Sequence, residues 1–217
     1  MSPANTTPAP ARLDAPTLAR ARRHLMRRDP KLAEICREVG ACSMEQRGDP
    51  YRALVRSVVF QQLAGSAARA IDARLRAPHR GRYPKPADLL ALRTADLRKA
   101  GLSRQKIAAV RAVAEAFDSG ELDNRRLRRM DDDAVVEAVT RVKGIGTWTA
   151  HMLLMFSLGR PDVLPVGDYG VRKGAMLLYG LPELPKADAL GALAEPWRPY
   201  RSVASWYLWR ATETITP

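Results

Sequence analysis

A single carboxylate, Asp168, ends a Gly/Pro loop with the sequence Leu-Pro-Val-Gly-Asp at 164–168. The residues that follow it, 169–179, have the composition of a helix. A carboxylate at this position can cap the helix by accepting hydrogen bonds from the first backbone N–H groups of that helix. In a poorly hydrated site it can also stabilise a developing positive charge or orient and deprotonate an attacking water. The two roles are compatible, because capping would hold the carboxylate in place.

A glycine hairpin precedes this loop, since Gly144 and Gly146 separate two stretches of helical character. Without Cβ atoms, glycines let the backbone turn tightly and approach a ligand closely. The helix predicted to begin near Thr147 offers unpaired N–H groups and the positive end of its dipole. These features predict an anion site suited to one phosphate. The alternative interpretation of a lone Gly-x-Gly is a plain tight turn between two packed helices.

Helices are the elements that must position these groups. Asp14, Asp29 and Asp49 each lie one or two residues before a proline, as capping carboxylates do at helix starts. Ser103 and Asp131 are predicted to cap two later helices. Apolar residues recur at helical spacing between the caps, and we find no alternating strand pattern. The sequence therefore predicts an all-α protein with about ten or more helices.

The composition limits the class of protein. The chain has 217 residues, of which 46% are hydrophobic, enough for one large domain or two small lobes. No apolar run approaches the ~20 residues that a bilayer requires, and no signal peptide is found, so we expect a soluble intracellular protein. Cys36 and Cys42 are too few for a disulfide framework and are interpreted as ordinary thiols. The net charge of +13 favours a polyanionic partner, although solubility in an arginine-rich proteome would also explain it.

The order of helix, glycine hairpin, helix, Gly/Pro loop and aspartate resembles the helix-hairpin-helix DNA glycosylase superfamily. Within it the chain is most similar to the 3-methyladenine DNA glycosylase II (alkylpurine) branch, over roughly residues 45–212. The resemblance implies a two-lobed, all-α helix-hairpin-helix glycosylase domain at 14–217 with a central cleft. We expect one lobe at roughly 50–160 and a second at roughly 14–49 plus 161–217. Residues 1–13, rich in Pro and small polar residues, are predicted to be a disordered tail.

The resemblance makes Asp168 the catalytic residue, because N-glycosidic bonds break through an oxocarbenium-like transition state that a carboxylate stabilises. Bifunctional members carry a lysine two positions after the second glycine, and here that position is Trp148. Iron–sulfur members need four C-terminal cysteines, and none follows Cys42. The chain is therefore predicted to be a monofunctional hydrolase with no cofactor and no metal cluster.

The resemblance also assigns DNA contacts to the hairpin, at Lys143, Gly144, Gly146 and Thr147. It further implies that the hairpin carbonyls could hold a monovalent cation, namely those of Thr140, Val142 and Ile145.

The predicted base pocket contains Trp148, Met152 and Trp209. Alkylated purines of the 3-methyladenine kind carry positive charge, which aromatic faces attract. Met152 stands where the related enzyme has a tyrosine, so the substrate range is left open.

Two segments resemble the loops with which the family probes duplex DNA, since the target base must leave the stack. In the segment 60–64, Gln61 and Gln62 match the position where relatives insert a glutamine. In the segment 101–106, Arg104 stands in or beside the position of the intercalating wedge, and Lys106 is a predicted phosphate contact. Hydrogen bonding at a helix end is the alternative role for the two glutamines.

The sequence thus predicts a monofunctional glycosylase that flips an alkylated purine, of the 3-methyladenine or 7-methylguanine type, out of duplex DNA. It would hydrolyse the N-glycosidic bond and so start base excision repair. The alternatives are a same-fold glycosylase for deaminated or oxidised bases and a non-catalytic helix-hairpin-helix DNA-binding module. We expect damaged duplex DNA as the partner, no membrane association and a monomer. The expected location is the bacterial cytoplasm at the nucleoid, or the nucleus in a eukaryote.

Overall fold

The computed structural model describes residues 12–44, 48–63 and 65–215, and within these ranges it contains helices and no strand. The all-α prediction is confirmed. The α-helices, in chain order, are α1 (Ala15–Arg28), α2 (Pro30–Val39), α3 (Pro50–Phe60), α4 (Gly65–Arg76), α5 (Pro86–Ala91), α6 (Thr94–Ala100), α7 (Arg104–Asp118), α8 (Asn124–Arg129), α9 (Asp132–Thr140), α10 (Thr147–Leu153), α11 (Tyr169–Tyr179), α12 (Ala187–Leu193) and α13 (Arg201–Thr214). A π-helical turn, Leu154–Leu158, directly follows α10.

The predicted helix starts are confirmed at all five capping residues. The side chains of Asp14, Asp29, Asp49, Ser103 and Asp131 each accept from a backbone N–H in the first turn of the helix that follows. These bonds satisfy N–H groups that have no partner within the helix. No helix in the described ranges has the length and apolar character needed to cross a membrane.

The chain folds as two compact units. Unit 1 contains the described parts of Met1–Gln46 and Leu154–Pro217, and unit 2 contains those of Arg47–Leu153. The predicted tail lies mostly outside the described residues, but its end is corrected by the structure. Leu13 is 3% exposed and its N–H donates to the carbonyl of Gly159 at 2.8 Å, so it belongs to unit 1.

Unit 1 is built on α13, which packs against α11 and α2. The contact between α11 and α13 is made by the backbone, because a Cβ atom on Gly174 would lie 2.0 Å from the carbonyl oxygen of Leu208. A glycine inside a helix costs about 1 kcal/mol relative to alanine. Here that cost is offset by the close approach of the two helices that carry Asp168 and Trp209.

Unit 2 has its core along α7, which packs against α3 and α5. The buried side chains on these three helices are mostly apolar and include Val58, Leu89, Val110 and Val113. α9 and α10 pack against each other on either side of the glycine hairpin. Unit 2 therefore contains both the hairpin and the two loops that were predicted to probe the duplex.

A buried carboxylate stabilises unit 1 apart from the candidate site. Asp29 is 8% exposed and accepts from the N–H groups of Lys31 and Leu32 through Oδ1. Its Oδ2 accepts from the hydroxyl of Tyr179 at 2.5 Å and from Nε1 of Trp197 at 2.8 Å. Burial, and then the hydrogen bond to Asp29, raises the pKa of Tyr179, so the phenol remains a donor.

Asp29→Asn is expected to destabilise the protein by about 2 kcal/mol or more, because an amide nitrogen then faces donors that need an acceptor. Asp14→Asn is the matched control. Its side chain caps α1 at an exposed position, and asparagine caps as well as aspartate, so we expect a loss below about 0.5 kcal/mol. Urea unfolding measures both values. Equal losses in the two variants would contradict the role assigned to Asp29.

Candidate active site and nucleic-acid interface

Asp168 lies at the N-terminus of α11 and is only 9% exposed. Its Oδ1 accepts from the N–H of Val171 at 2.8 Å, and its own N–H donates to the carbonyl of Pro165 at 2.8 Å. The first turn of α11 therefore holds the carboxylate, and the Gly/Pro loop holds the backbone that carries it. The positive end of the helix dipole favours a negative charge at this position.

Trp209, on α13, holds the same carboxylate oxygen. Its Nε1 donates to Oδ1 of Asp168 at 2.8 Å, across 41 positions of sequence. Phe156 stacks on the indole, with ring centroids 5.7 Å apart and planes 25° from parallel. Phe156 belongs to the π-helical turn Leu154–Leu158. Trp209 thus orients Asp168, a role that the sequence analysis missed when it assigned this residue to the base pocket, where its role stays a prediction.

Gly170 makes room for this hydrogen bond. A Cβ atom at this position would lie 2.7 Å from Cδ1 and 3.0 Å from Nε1 of Trp209. Any larger side chain would therefore displace the indole from Asp168. The signal in the sequence is a glycine in the first turn of a helix, where local preference favours other residues.

Tyr169 is a second residue that the sequence analysis missed. It follows Asp168 directly and is 64% exposed. An exposed aromatic ring beside the candidate catalytic carboxylate is suited to contact a sugar or a base.

The two glycines of the hairpin in unit 2 differ in what surrounds them. Gly144 has a φ of +88°, and a Cβ atom on it would lie 2.5 Å from Cβ of Ala109 in α7. A Cβ atom on Gly146 would have no other atom within 4 Å, so space is open there for a ligand to approach. α10 begins at Thr147, as predicted. The phosphate site at the hairpin stays a prediction with which this geometry is compatible.

Two of the residues predicted to contact DNA support the fold around the hairpin. Nε2 of Gln61 donates to the carbonyl of Gly144 at 3.3 Å and lies 3.5 Å from Oγ1 of Thr149. Nζ of Lys106 donates to the carbonyl of Val59 at 2.6 Å, and partial burial lowers the pKa of this lysine. For Gln61, the alternative role of hydrogen bonding at a helix end describes what the structure shows. The phosphate contact predicted for Lys106 stays a prediction.

A groove of about 830 Å³ on unit 2 is lined by most of the predicted DNA-contacting residues, but not by Gly146 or Thr147. Gln62 and Leu63 come from the α3–α4 loop, Arg104 and Lys106 from the start of α7, and Lys143 from the hairpin. Gln62, Arg104 and Lys143 are exposed. The fold therefore brings three segments that are distant in the sequence to one surface, and that surface carries several positive charges.

The other predicted pocket residues lie one turn apart on α10. Trp148 is 44% exposed and Met152 is half-buried. Between them, burial lowers the pKa of His151 and so favours its neutral form. Both Trp148 and Met152 belong to unit 2, whereas Asp168 and Trp209 belong to unit 1, and their assembly into one base pocket stays a prediction.

The predicted cation site uses backbone carbonyls of the hairpin. The carbonyl of Val142 accepts from the N–H of Ile145 at 3.0 Å, and the hydroxyl of Thr140 donates to the carbonyl of Val136. A carbonyl oxygen has two lone pairs, so that of Val142 can still accept a cation, and the cation site stays a prediction. In the described part of the chain, no group of three or more His, Cys, Asp or Glu side chains is placed to hold a metal.

Known proteins of similar sequence and fold are DNA repair proteins. The model of the HhH-GPD superfamily base excision DNA repair proteins matches residues 55–199. DNA-3-methyladenine glycosylase 1 of Schizosaccharomyces pombe is 34% identical over 203 residues, covering 91% of this chain and 89% of that protein. The solved 3-methyladenine DNA glycosylase of the same organism, in complex with abasic DNA, superimposes with a TM-score of 0.82 at 33% identity, covering 89% of this chain and 97% of that one. A Bacillus halodurans DNA-3-methyladenine glycosidase superimposes with a TM-score of 0.81 at 38% identity, covering 94% and 92%.

The chain therefore belongs to the HhH-GPD superfamily of base excision DNA repair proteins. The prediction of the superfamily is confirmed, and so is that of its alkylpurine branch, to which the relatives' names point.

Gly170→Ala is expected to break the hydrogen bond between Trp209 and Asp168 without unfolding unit 1. The indole N–H resonance of Trp209 should move, and its hydrogen exchange should become about 10-fold faster, the equivalent of one lost hydrogen bond. Gly191→Ala is the matched control, because a Cβ on this α12 residue meets nothing within 4 Å. An unchanged indole resonance in Gly170→Ala would show that the added methyl group is accommodated without moving the ring.

Proposed function

We propose that this protein is a monofunctional DNA glycosylase that removes an alkylated purine from duplex DNA and leaves an abasic site. The observation that carries the proposal is the Asp168 carboxylate, whose Oδ1 accepts from Val171 and Trp209 at the N-terminus of α11. The named relatives of the chain are DNA-3-methyladenine glycosylases, which supports a methylated purine as the substrate.

The carboxylate is suited to the charge that develops during the reaction. As the N-glycosidic bond breaks, its electron pair leaves with the base and the sugar acquires oxocarbenium character. Because two N–H donors already orient Asp168, it need not reorganise as this charge forms. Water then adds to the anomeric carbon and gives its proton to the carboxylate or to solvent. An alkylated purine that carries a positive charge leaves as a neutral base, so the step needs no acid to protonate it.

The position of Trp148 supports a hydrolase without lyase activity. This tryptophan occupies the place of the lysine that forms a Schiff base in bifunctional relatives, so no amine is present there to attack the sugar. Its exposed aromatic face can stack on a flipped cationic base, an interaction worth about 0.5–2 kcal/mol. Tyr169, exposed beside Asp168, offers a further aromatic contact to the nucleotide.

Duplex DNA is the partner that the surface of unit 2 favours. The groove carries Arg104, Lys106 and Lys143, and the chain as a whole has a net charge of +13. Cations of this kind bind phosphates by releasing condensed counterions. The solved S. pombe relative is a complex with abasic DNA, which supports the same partner here. Recognition of the damaged base and action as a monomer are parts of the proposal.

Asp168→Asn is expected to lower the single-turnover rate of 7-methylguanine release from a duplex by at least ~100-fold, the lower range for a positioned acid–base group. Asparagine caps helices as well as aspartate, and its oxygen can still accept from Val171 and Trp209. The variant should therefore fold and bind DNA like the wild type in a fluorescence anisotropy titration.

Asp188→Asn is the matched control for this prediction, since Asp188 is an exposed acidic residue in the first turn of α12. Its release rate should stay within about 2-fold of the wild type, as for a surface change. Near-wild-type release by Asp168→Asn would remove Asp168 from the catalytic role.

A further inference from the structure

The stretch of chain that leads into the Gly/Pro loop is bonded to the start of α13. Ser202 is fully buried, and its hydroxyl donates to the carbonyl of Arg160 at 2.7 Å. Its N–H donates to the carbonyl of Pro161 at 3.0 Å, and its hydroxyl oxygen accepts from the N–H of Val163 at 2.9 Å. Ser202 therefore fixes the backbone of residues 160–163, which form no helix of their own.

Asp162, in the middle of that stretch, is held by Arg201. Nε and Nη2 of Arg201 donate to the two carboxylate oxygens at 2.8 and 2.9 Å, and Nη2 also donates to the carbonyl of Asp162 at 3.0 Å. The backbone N–H of Arg201 donates to Oδ1 at 3.1 Å. The arginine side chain is only 16% exposed, so the pair is screened less than a surface pair. A two-pronged bond of this kind fixes direction as well as distance.

The loop between this stretch and Asp168 has little freedom of its own. The N–H of Val166 donates to the carbonyl of Leu164 at 2.9 Å, and the N–H of Asp168 donates to the carbonyl of Pro165 at 2.8 Å. Leu164 and Pro165 are buried, and proline fixes one of its backbone torsions. A displacement at the entry of the loop is therefore transmitted to the carboxylate at its end.

One helix holds both ends of this loop. Arg201 and Ser202 hold the entry, while Nε1 of Trp209 donates to Oδ1 of Asp168 at the exit. Trp209 follows Arg201 by eight residues of α13, which is about 12 Å of helix. The position of Asp168 relative to α13 is therefore set from two points of the same element.

We propose that Asp162, Arg201 and Ser202 are positioning residues for base release. They act through the carboxylate of Asp168 and do not touch the substrate. The inference rests on the proposed function and assigns the contacts that keep its catalytic group in place. Misplacement of a reacting group by about 1 Å can lower a rate roughly 100-fold. A role in stability alone would lower melting temperatures but leave the reaction of the folded protein unchanged, and the test separates the two roles on that basis.

The first pair of variants removes one carboxylate from either side of Arg198. This arginine donates to Asp162 at 3.0 Å and to Glu195 at 3.1 Å, and only Asp162 lies in the stretch 160–163. In single-turnover release of 7-methylguanine from a duplex, Asp162→Asn should lower the rate constant at saturating protein about 10-fold. The half-saturating protein concentration should stay within about 2-fold of the wild type. Glu195→Gln, the matched control, should leave both quantities within about 2-fold.

The second pair keeps every charge and removes one hydroxyl. Ser202 and Ser205 are both fully buried on α13, but the hydroxyl of Ser205 donates to the carbonyl of Arg201 within its own helix. Ser202→Ala should lower the rate constant about 10-fold, the equivalent of one lost hydrogen bond. Ser205→Ala should keep it within about 2-fold. Melting temperatures, measured for all four variants, establish that the rate constants compare folded proteins.

The indole N–H resonance of Trp209 follows the position of Asp168 without any reaction. It should move in Asp162→Asn and in Ser202→Ala and stay unchanged in the two controls. Unchanged resonances and rate constants in both test variants, or equal losses in test and control variants, would overturn the positioning role. Absence of base release by the wild type would instead overturn the proposed function, and the resonances would still test the link between residues 160–163 and Asp168.

Discussion

The candidate active site depends on one oxygen atom, Oδ1 of Asp168, which accepts from the first turn of α11 and from the indole of Trp209. One of these donors is local and the other comes from α13, so the bond from the indole requires that α11 and α13 stay in close contact. Gly174 permits that contact through the backbone, and Gly170 leaves space for the indole beside the carboxylate. Glycines weaken a helix in isolation. The two glycines of α11 are explained by the close contacts with α13 that only a residue without a side chain permits.

A similar arrangement supports the groove of unit 2 that is proposed to bind DNA. Gln61 and Lys106 use their polar groups to tie together the end of α3, the start of α7 and the hairpin. The cations left exposed on this support, Arg104 and Lys143, are suited to contact phosphates. Gln61 thus has a positioning role in the structure, whereas the DNA contact of the neighbouring Gln62 stays a prediction.

The sequence predicted what depends on local interactions. Helix starts at Asp14, Asp29 and Asp131 follow from capping, and Asp168 was predicted correctly as the cap of α11, because these bonds span a few residues. The link between Trp209 and Asp168 spans 41 positions and that between Gln61 and Gly144 spans 83, and no periodicity or spacing encodes such pairs. The π-helical turn that places Phe156 against Trp209 has no local sequence signal that we could use. For the same reason Leu13 was assigned to a tail, although its bond to Gly159 makes it part of unit 1.

The central claim is that an oriented carboxylate, without an acid to protonate the base, suffices for cationic leaving groups. The most direct measurement is the single-turnover rate of base release by the wild-type protein from duplexes that differ only in the lesion. The account predicts faster release of the cationic bases 3-methyladenine and 7-methylguanine than of the neutral base hypoxanthine. Faster release of hypoxanthine would contradict it, because a neutral purine needs assistance that Asp168 and its two donors do not provide.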